Sequence, residues 1–196
     1  MTPELLAAWL VGIMLKAVPP GKYREPPELV ETEADTRARY QAIAAALAEV
    51  VLDPNERSIF GGDDGRRRTA SLLLSLSVYE SGLKRDVDLG IGKHDKAPRN
   101  SRQYWCTLQI GVDGGKTAEG WTGPELVADR RKCFRAGLHR LLRARGSCSK
   151  HGPEAWLRTY TSGNCTQGEK AASQRMATAH RWMSYPFPAP TPAASE

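Results

Sequence analysis

A chain of 196 residues with 40% hydrophobic and 26% charged content can bury one core without metal or disulfide staples merely to fold. With 28 Lys and Arg against 22 Asp and Glu the formal net charge is +6, which favours an anionic partner such as nucleic acid, anionic lipid or the acidic polymers of a bacterial envelope. The basic clusters Arg66 to Arg68, Arg130 to Lys132 and Arg140 to Arg145 carry no recognition motif and no regular aromatic interleaving; they read as solvated helix faces, and nucleic acid is not the expected partner.

Leu5 to Leu15 is apolar, but Glu4 precedes it, no basic residues lead into it, and Lys16 interrupts it too early for a bilayer span. It predicts a buried amphipathic helix ended by Pro19-Pro20-Gly21 rather than a convincing signal peptide, with a membrane-associated segment as the alternative. Thr32 to Leu52 carries Ala, Leu, Ile and Val at helical spacing and stops at Asp53-Pro54. After the Gly61 to Gly65 turn a third helix is predicted from about Arg66 to Tyr79, apolar enough to be central. Ser81 to Gln103 dissolves into Gly, Asp, Lys and Asn and predicts a long irregular segment, the kind of loop that builds sites.

Tyr104 to Ile110 predicts one short strand or extended piece, and Asp113-Gly114-Gly115 a turn. Helices follow from Pro124 to about Arg145, from Glu154 to Tyr160, and from Ala171 to Met183. Beyond Tyr185 the Pro-rich sequence predicts an extended tail or linker. The fold class is therefore mainly α with little strand. Three regions are expected: an N-terminal helical extension over 1–65, a main domain over 66–183 and a tail over 184–196.

Cys106, Cys133, Cys148 and Cys165 all lie in the second half, too widely spread for a zinc ribbon or finger. Two disulfides are the expectation, paired sequentially as Cys106 with Cys133 and Cys148 with Cys165; free thiols, or zinc with His139 or His151, are the alternatives. Disulfides would imply an oxidising compartment. His94, His139, His151 and His180 show no metal spacing, and neither metal nor cofactor is expected.

Glu80 ends the apolar run Leu72 to Tyr79. A carboxyl group there is poorly solvated and badly placed for the helix dipole, an environment suited to a general acid. Three segments then follow in order: Glu80-Ser81-Gly82-Leu83, Cys106-Thr107-Leu108-Gln109-Ile110 and Tyr160-Thr161-Ser162-Gly163. Together they resemble the lysozyme-like soluble lytic transglycosylases, with some likeness to goose-type lysozymes. In that family a helix ends in Glu-Ser-x-x, an extended Gly-Leu-Met-Gln-Ile segment follows, and a later helix ends in Tyr-Asn-x-Gly. The resemblance spans roughly Arg66 to Met183; Cys106-Thr107-Leu108 replaces Gly-Leu-Met, and Thr161 replaces the Asn.

The resemblance implies a lysozyme-like α+β domain with accessory N-terminal helices, acting on peptidoglycan glycan strands at the β-1,4 bond between N-acetylmuramic acid and N-acetylglucosamine. Glu80 would be the single catalytic acid and base, Ser81 would help position substrate and carboxyl group, Gln109 would line the sugar cleft, and the Tyr160 hydroxyl would orient the glutamate. Cys106 could tether the active-site strand to the helix bearing Cys133. Tyr104, Trp105, Trp121 and Trp156 are candidates to stack on sugar rings. With no second carboxylate evident, closure of a 1,6-anhydro ring by the muramoyl 6-hydroxyl is expected; Asp86, Asp88 or Asp95 could instead hold a water for hydrolysis. The expected location is periplasmic, extracellular or phage virion-associated, and a noncatalytic wall-binding or virion module is the rival reading.

Overall fold

The computed structural model describes residues 1–23, 27–91, 103–152 and 154–189. The chain is mainly helical. Helix α1 (Pro3–Ala17) begins at Thr2, whose hydroxyl accepts from the Leu5 amide, and ends at Val18 before the paired prolines. Helix α2 (Glu33–Leu52) is opened by a capping box between Thr32 and Asp35. It packs along α1, joining Leu6, Leu10, Ile13 and Met14 to Ile43, Leu47 and Val50 in one core.

Helix α3 (Gly65–Ser81) is the central element, with Leu72, Leu73, Leu74 and Leu76 fully buried. It touches α1, α2, α6 (Arg130–Ser147) and α8 (Glu169–Met183), so both flanks of the helix are covered and its sequence is apolar almost all round. Contact with the last helix, α8, is tightened by two serines: the Ser71 hydroxyl donates to the Ala179 carbonyl and that of Ser75 to the Arg175 carbonyl, each at 2.8 Å.

The segment after α3 contains a short helix, α4 (Arg85–Asp88), which the Gly- and Asp-rich sequence did not announce. The rest of the predicted irregular stretch, 92–102, lies outside the described residues. The single strand or extended piece expected over Tyr104 to Ile110 is instead an antiparallel hairpin of β1 (Gln103–Trp105) and β2 (Ile110–Val112), with Gln103 opposite Val112 and Trp105 opposite Ile110. The connecting turn forces Cys106 and Gln109 to φ values of 58° and 49°.

The helix expected over Pro124 to Arg145 is two helices, α5 (Gly123–Ala128) and α6 (Arg130–Ser147). Asp129 breaks it: its carboxylate accepts from the Arg131 amide and caps α6, a local bond that competes with continuous helix. Helix α7 (Ala155–Ser162) ends at Gly163 in the left-handed region. Both disulfides form in the expected pairing, Cys106 with Cys133 and Cys148 with Cys165.

The first residues of the Pro-rich tail are docked. Phe187 lies 5.9 Å from the Trp9 ring, the Trp9 indole donates to the Tyr185 carbonyl, and the Arg67 guanidinium stands 5.5 Å from both the Trp9 and Phe187 rings. Residues 190–196 lie outside the described part. Among the described residues no helix is long and apolar enough to cross a membrane.

Candidate active site

Glu80 occupies the last turn of α3, where Gly82 caps the helix at φ 61° and donates to the Val78 carbonyl. Glycine is required there twice over, by the positive φ and because a Cβ would stand 2.9 Å from the Tyr23 ring. Leu83 follows at φ 52°. Ser81 is buried, its hydroxyl donating to the Ser77 carbonyl at 2.8 Å and accepting from the Leu83 amide at 3.1 Å. It shapes the turn beneath Glu80, with its hydroxyl committed to backbone partners rather than offered to a substrate.

The turn is held from the N-terminal side. Arg39 on α2 donates to the Leu83 carbonyl at 2.7 Å while pairing with Glu31 at 2.6 Å, both side chains only 9% exposed. Further along, Arg130 grips Asp88 through two hydrogen bonds of 2.9 and 2.6 Å, and Gly90 lies against Val127. Asp88 is thus a buried anchor between α4 and α6. Asp86 accepts from the adjacent Val87 amide, and Asp95 is outside the described residues.

Glu80 has a partner that the sequence did not reveal. Arg175, in the second turn of α8, donates from Nη2 to Glu80 Oε1 at 2.8 Å, with the two side chains 12% and 22% exposed. Its Nη1 donates to the Ala171 carbonyl, its guanidinium lies 4.9 Å from the Tyr79 ring centre, and Ser75 fixes its backbone. The carboxyl group is held on one oxygen, while Oε2 accepts no hydrogen bond from the described residues.

Tyr160 projects from α7 and its hydroxyl donates to the Leu108 carbonyl in the hairpin turn. Burial pushes its phenol well above the usual tyrosine range; the Glu80 charge adds to this, opposed by Arg140 and Arg175. The hydroxyl therefore stays a donor, and its acceptor is the turn rather than the glutamate. Gln109 closes the same turn, both its amide and its Nε2 donating to the Cys106 carbonyl at 2.9 and 3.1 Å. Behind the turn, Leu108 sits on Gly137 of α6 so closely that a Cβ there would fall 2.4 Å from Leu108 Cδ1. The Cys106–Cys133 bond ties the turn to α6 as well.

Of the aromatic candidates, Trp105 rests on Gly123, where a Cβ would come within 2.0 Å of the indole. Tyr104 is half-buried opposite Gly111, Trp121 carries the Lys132 ammonium 5.8 Å from its ring, and Trp156 is core, edge-on to Phe60. His139 bridges Glu56 and Glu119, at 2.9 and 3.2 Å. No protein-family model, curated protein or solved structure gives a significant match to the chain.

Proposed function

We propose that the chain is a lysozyme-like lytic transglycosylase that cleaves the β-1,4 bond between N-acetylmuramic acid and N-acetylglucosamine in peptidoglycan, with Glu80 as acid and then base. The observation that carries the reading is convergence: Glu80, the turn of Cys106 to Gln109, and Tyr160 come from three distant segments, yet Tyr160 binds the turn and feels the Glu80 charge. The non-glycine residues with positive φ among those described, Leu83, Cys106 and Gln109, all belong to two of these segments. Strained backbone of this kind concentrates at functional sites.

Glu80 would first take up a proton on Oε2, against the pull of the Arg175 ion pair, and then pass it to the glycosidic oxygen while Oε1 continues to accept from Arg175. The same oxygen would then take the proton of the muramoyl 6-hydroxyl as the anhydro ring closes, assisted by the N-acetyl group. Asp88 is consumed by Arg130, which removes one of the carboxylates that hydrolysis would need to hold water and favours ring closure over a goose-type muramidase reaction. The two disulfides suit a periplasmic, extracellular or virion setting.

The test is Glu80→Gln on purified peptidoglycan, followed by release of soluble muropeptides. Rates are expected to fall by about 10²- to 10⁴-fold, the usual contribution of a positioned general acid, with wall binding retained. Unchanged release would refute the assignment, and the absence of release from the unaltered protein would favour a noncatalytic wall-binding module.

A further inference from the structure

A groove of about 500 Å³ lies beside the C-terminal end of α3, lined in part by Lys16, Lys22, Tyr23, Tyr79, Arg181 and Tyr185. Its walls are the end of α1 with the segment after it, the α8 face bearing Thr178 and Trp182, and the start of the tail. Two of these walls, the end of α1 with the segment after it and the start of the tail, lie outside the stretch that carries the catalytic motifs. The N-terminal third and the tail therefore share a surface that the bond-cleaving chemistry does not explain.

The groove cations differ from the ion-paired arginines of the fold and share with Arg68, Arg140 and Arg145 a reliance on ring faces or carbonyls. Arg39, Arg130, Lys132, Arg135 and Arg143 each meet a carboxylate. In the groove, Lys16 stands 4.7 Å from the Tyr185 ring centre, and Lys22 lies 5.7 Å from that of Tyr23 while donating to the Ala17 carbonyl. Among the described residues, neither these nor Arg181 pairs with a carboxylate and no acidic side chain lines the groove. Ring faces and carbonyls orient a cation without cancelling its charge. The groove thus keeps its full positive potential where Tyr79, 44% exposed and pinned through its hydroxyl to Thr178, offers an open aromatic surface.

Apolar ring faces beside uncompensated cations suit a ligand that alternates flat sugar CH surfaces with anionic groups. We infer that this groove is an accessory binding site for an acidic glycan, and that its ligand is a peptidoglycan strand gripped through the carboxylates of its muramoyl peptides. The identity of that ligand rests on the proposed transglycosylase reading. Tyr79 adjoins Glu80 and shares Arg175 with it, so a strand in the groove would be tethered beside the cleaving residue.

The probe is purified peptidoglycan sacculi in a sedimentation assay, with Glu80→Gln as the parent so that the wall is not digested. Lys16→Glu with Arg181→Glu is expected to weaken binding about tenfold or more at low salt. Lys150→Glu with Lys170→Glu, an equal charge change at exposed positions elsewhere, is expected to leave it nearly unchanged. Equal weakening by both pairs, or by neither, overturns the site; displacement of sacculi by short duplex DNA at matched charge overturns the glycan as ligand. Should the reversed pair fail to fold, Lys16→Gln with Arg181→Gln serves the same comparison. Binding is read without turnover, so failure of the groove and failure of the Glu80 chemistry register separately. In the catalytic background, turnover of short solubilised glycan fragments is expected to survive the groove substitutions.

Discussion

Replacing the cysteines in pairs measures how much the candidate site depends on covalent ties. The bonds close intervals of 27 and 17 residues that do not overlap. The chain-entropy relation gives ~3.5 kcal/mol for Cys106–Cys133 and ~3.1 kcal/mol for Cys148–Cys165. Because the loops are separate, the two contributions should add to about 6 to 7 kcal/mol, comparable with the total stability of about 5 to 15 kcal/mol of an ordinary domain. Urea unfolding followed by tryptophan fluorescence, on the Cys106→Ala/Cys133→Ala and Cys148→Ala/Cys165→Ala variants and on both combined, reads these values directly. The first pair should also reduce wall cleavage more than the second, since Cys106 belongs to the turn that Tyr160 holds. A cost below about 1 kcal/mol for either pair would contradict the chain-entropy reasoning. Equal effects of the two pairs on activity would contradict the placement of the turn at the site.

Gly137→Ala should push Leu108 out of its seat on α6, costing about 1 to 3 kcal/mol in urea unfolding as overpacking of a filled core; an unchanged midpoint would mean that the turn is not pressed against the helix. Arg175→Met should cost about 3 kcal/mol by leaving the largely buried Glu80 carboxylate without its cation, again read from urea midpoints. Glu125 is held down to about 2 from its ordinary value by the Thr122 amide and by Lys132. A depressed carboxyl stabilises the fold above its unfolded pKa and loses that effect as pH falls through the folded one. The difference in urea midpoint between the unaltered protein and Glu125→Gln should therefore be constant near neutrality and shrink between about pH 4.5 and pH 2; a gap that widens on acidification would reverse the sign of the argument.

Local patterns were read correctly where one physical cause dominates. Helical spacing from Thr32 to Leu52 and the unbroken apolar run of α3 leave few alternatives to buried helices. The number and placement of the cysteines pointed to two disulfides, and the sequential pairing chosen among the three possible is the one that forms. Asp129 escaped because a single acidic residue in an amphipathic run looks like a solvated helix position, and its capping role depends on a local competition that composition does not display. The hairpin escaped because its turn is built by non-glycine residues at positive φ, against the usual signal.

The site was legible as motifs but not as contacts. Glu80 was read as lacking a second carboxylate, and the partner that reaches it is a cation, Arg175, from 95 positions away. Nothing in the sequence of α8 marks that arginine, since its neighbours Ala172, Met176 and Ala179 belong to the core. Ser81, Gln109 and Tyr160 were read as facing the substrate or the glutamate, whereas the hydrogen bonds they make are to backbone. Their visible contribution is to fix the ground on which Glu80 and the hairpin turn stand.

The most direct test of Glu80 as a lone acid and base is mass spectrometry of the products released from purified peptidoglycan. The account predicts muropeptides ending in 1,6-anhydromuramoyl groups, lighter by one water than reducing-end products, from the unaltered protein and none from Glu80→Gln. Reducing ends alone, or anhydro ends produced equally by the Glu80→Gln protein, would contradict it.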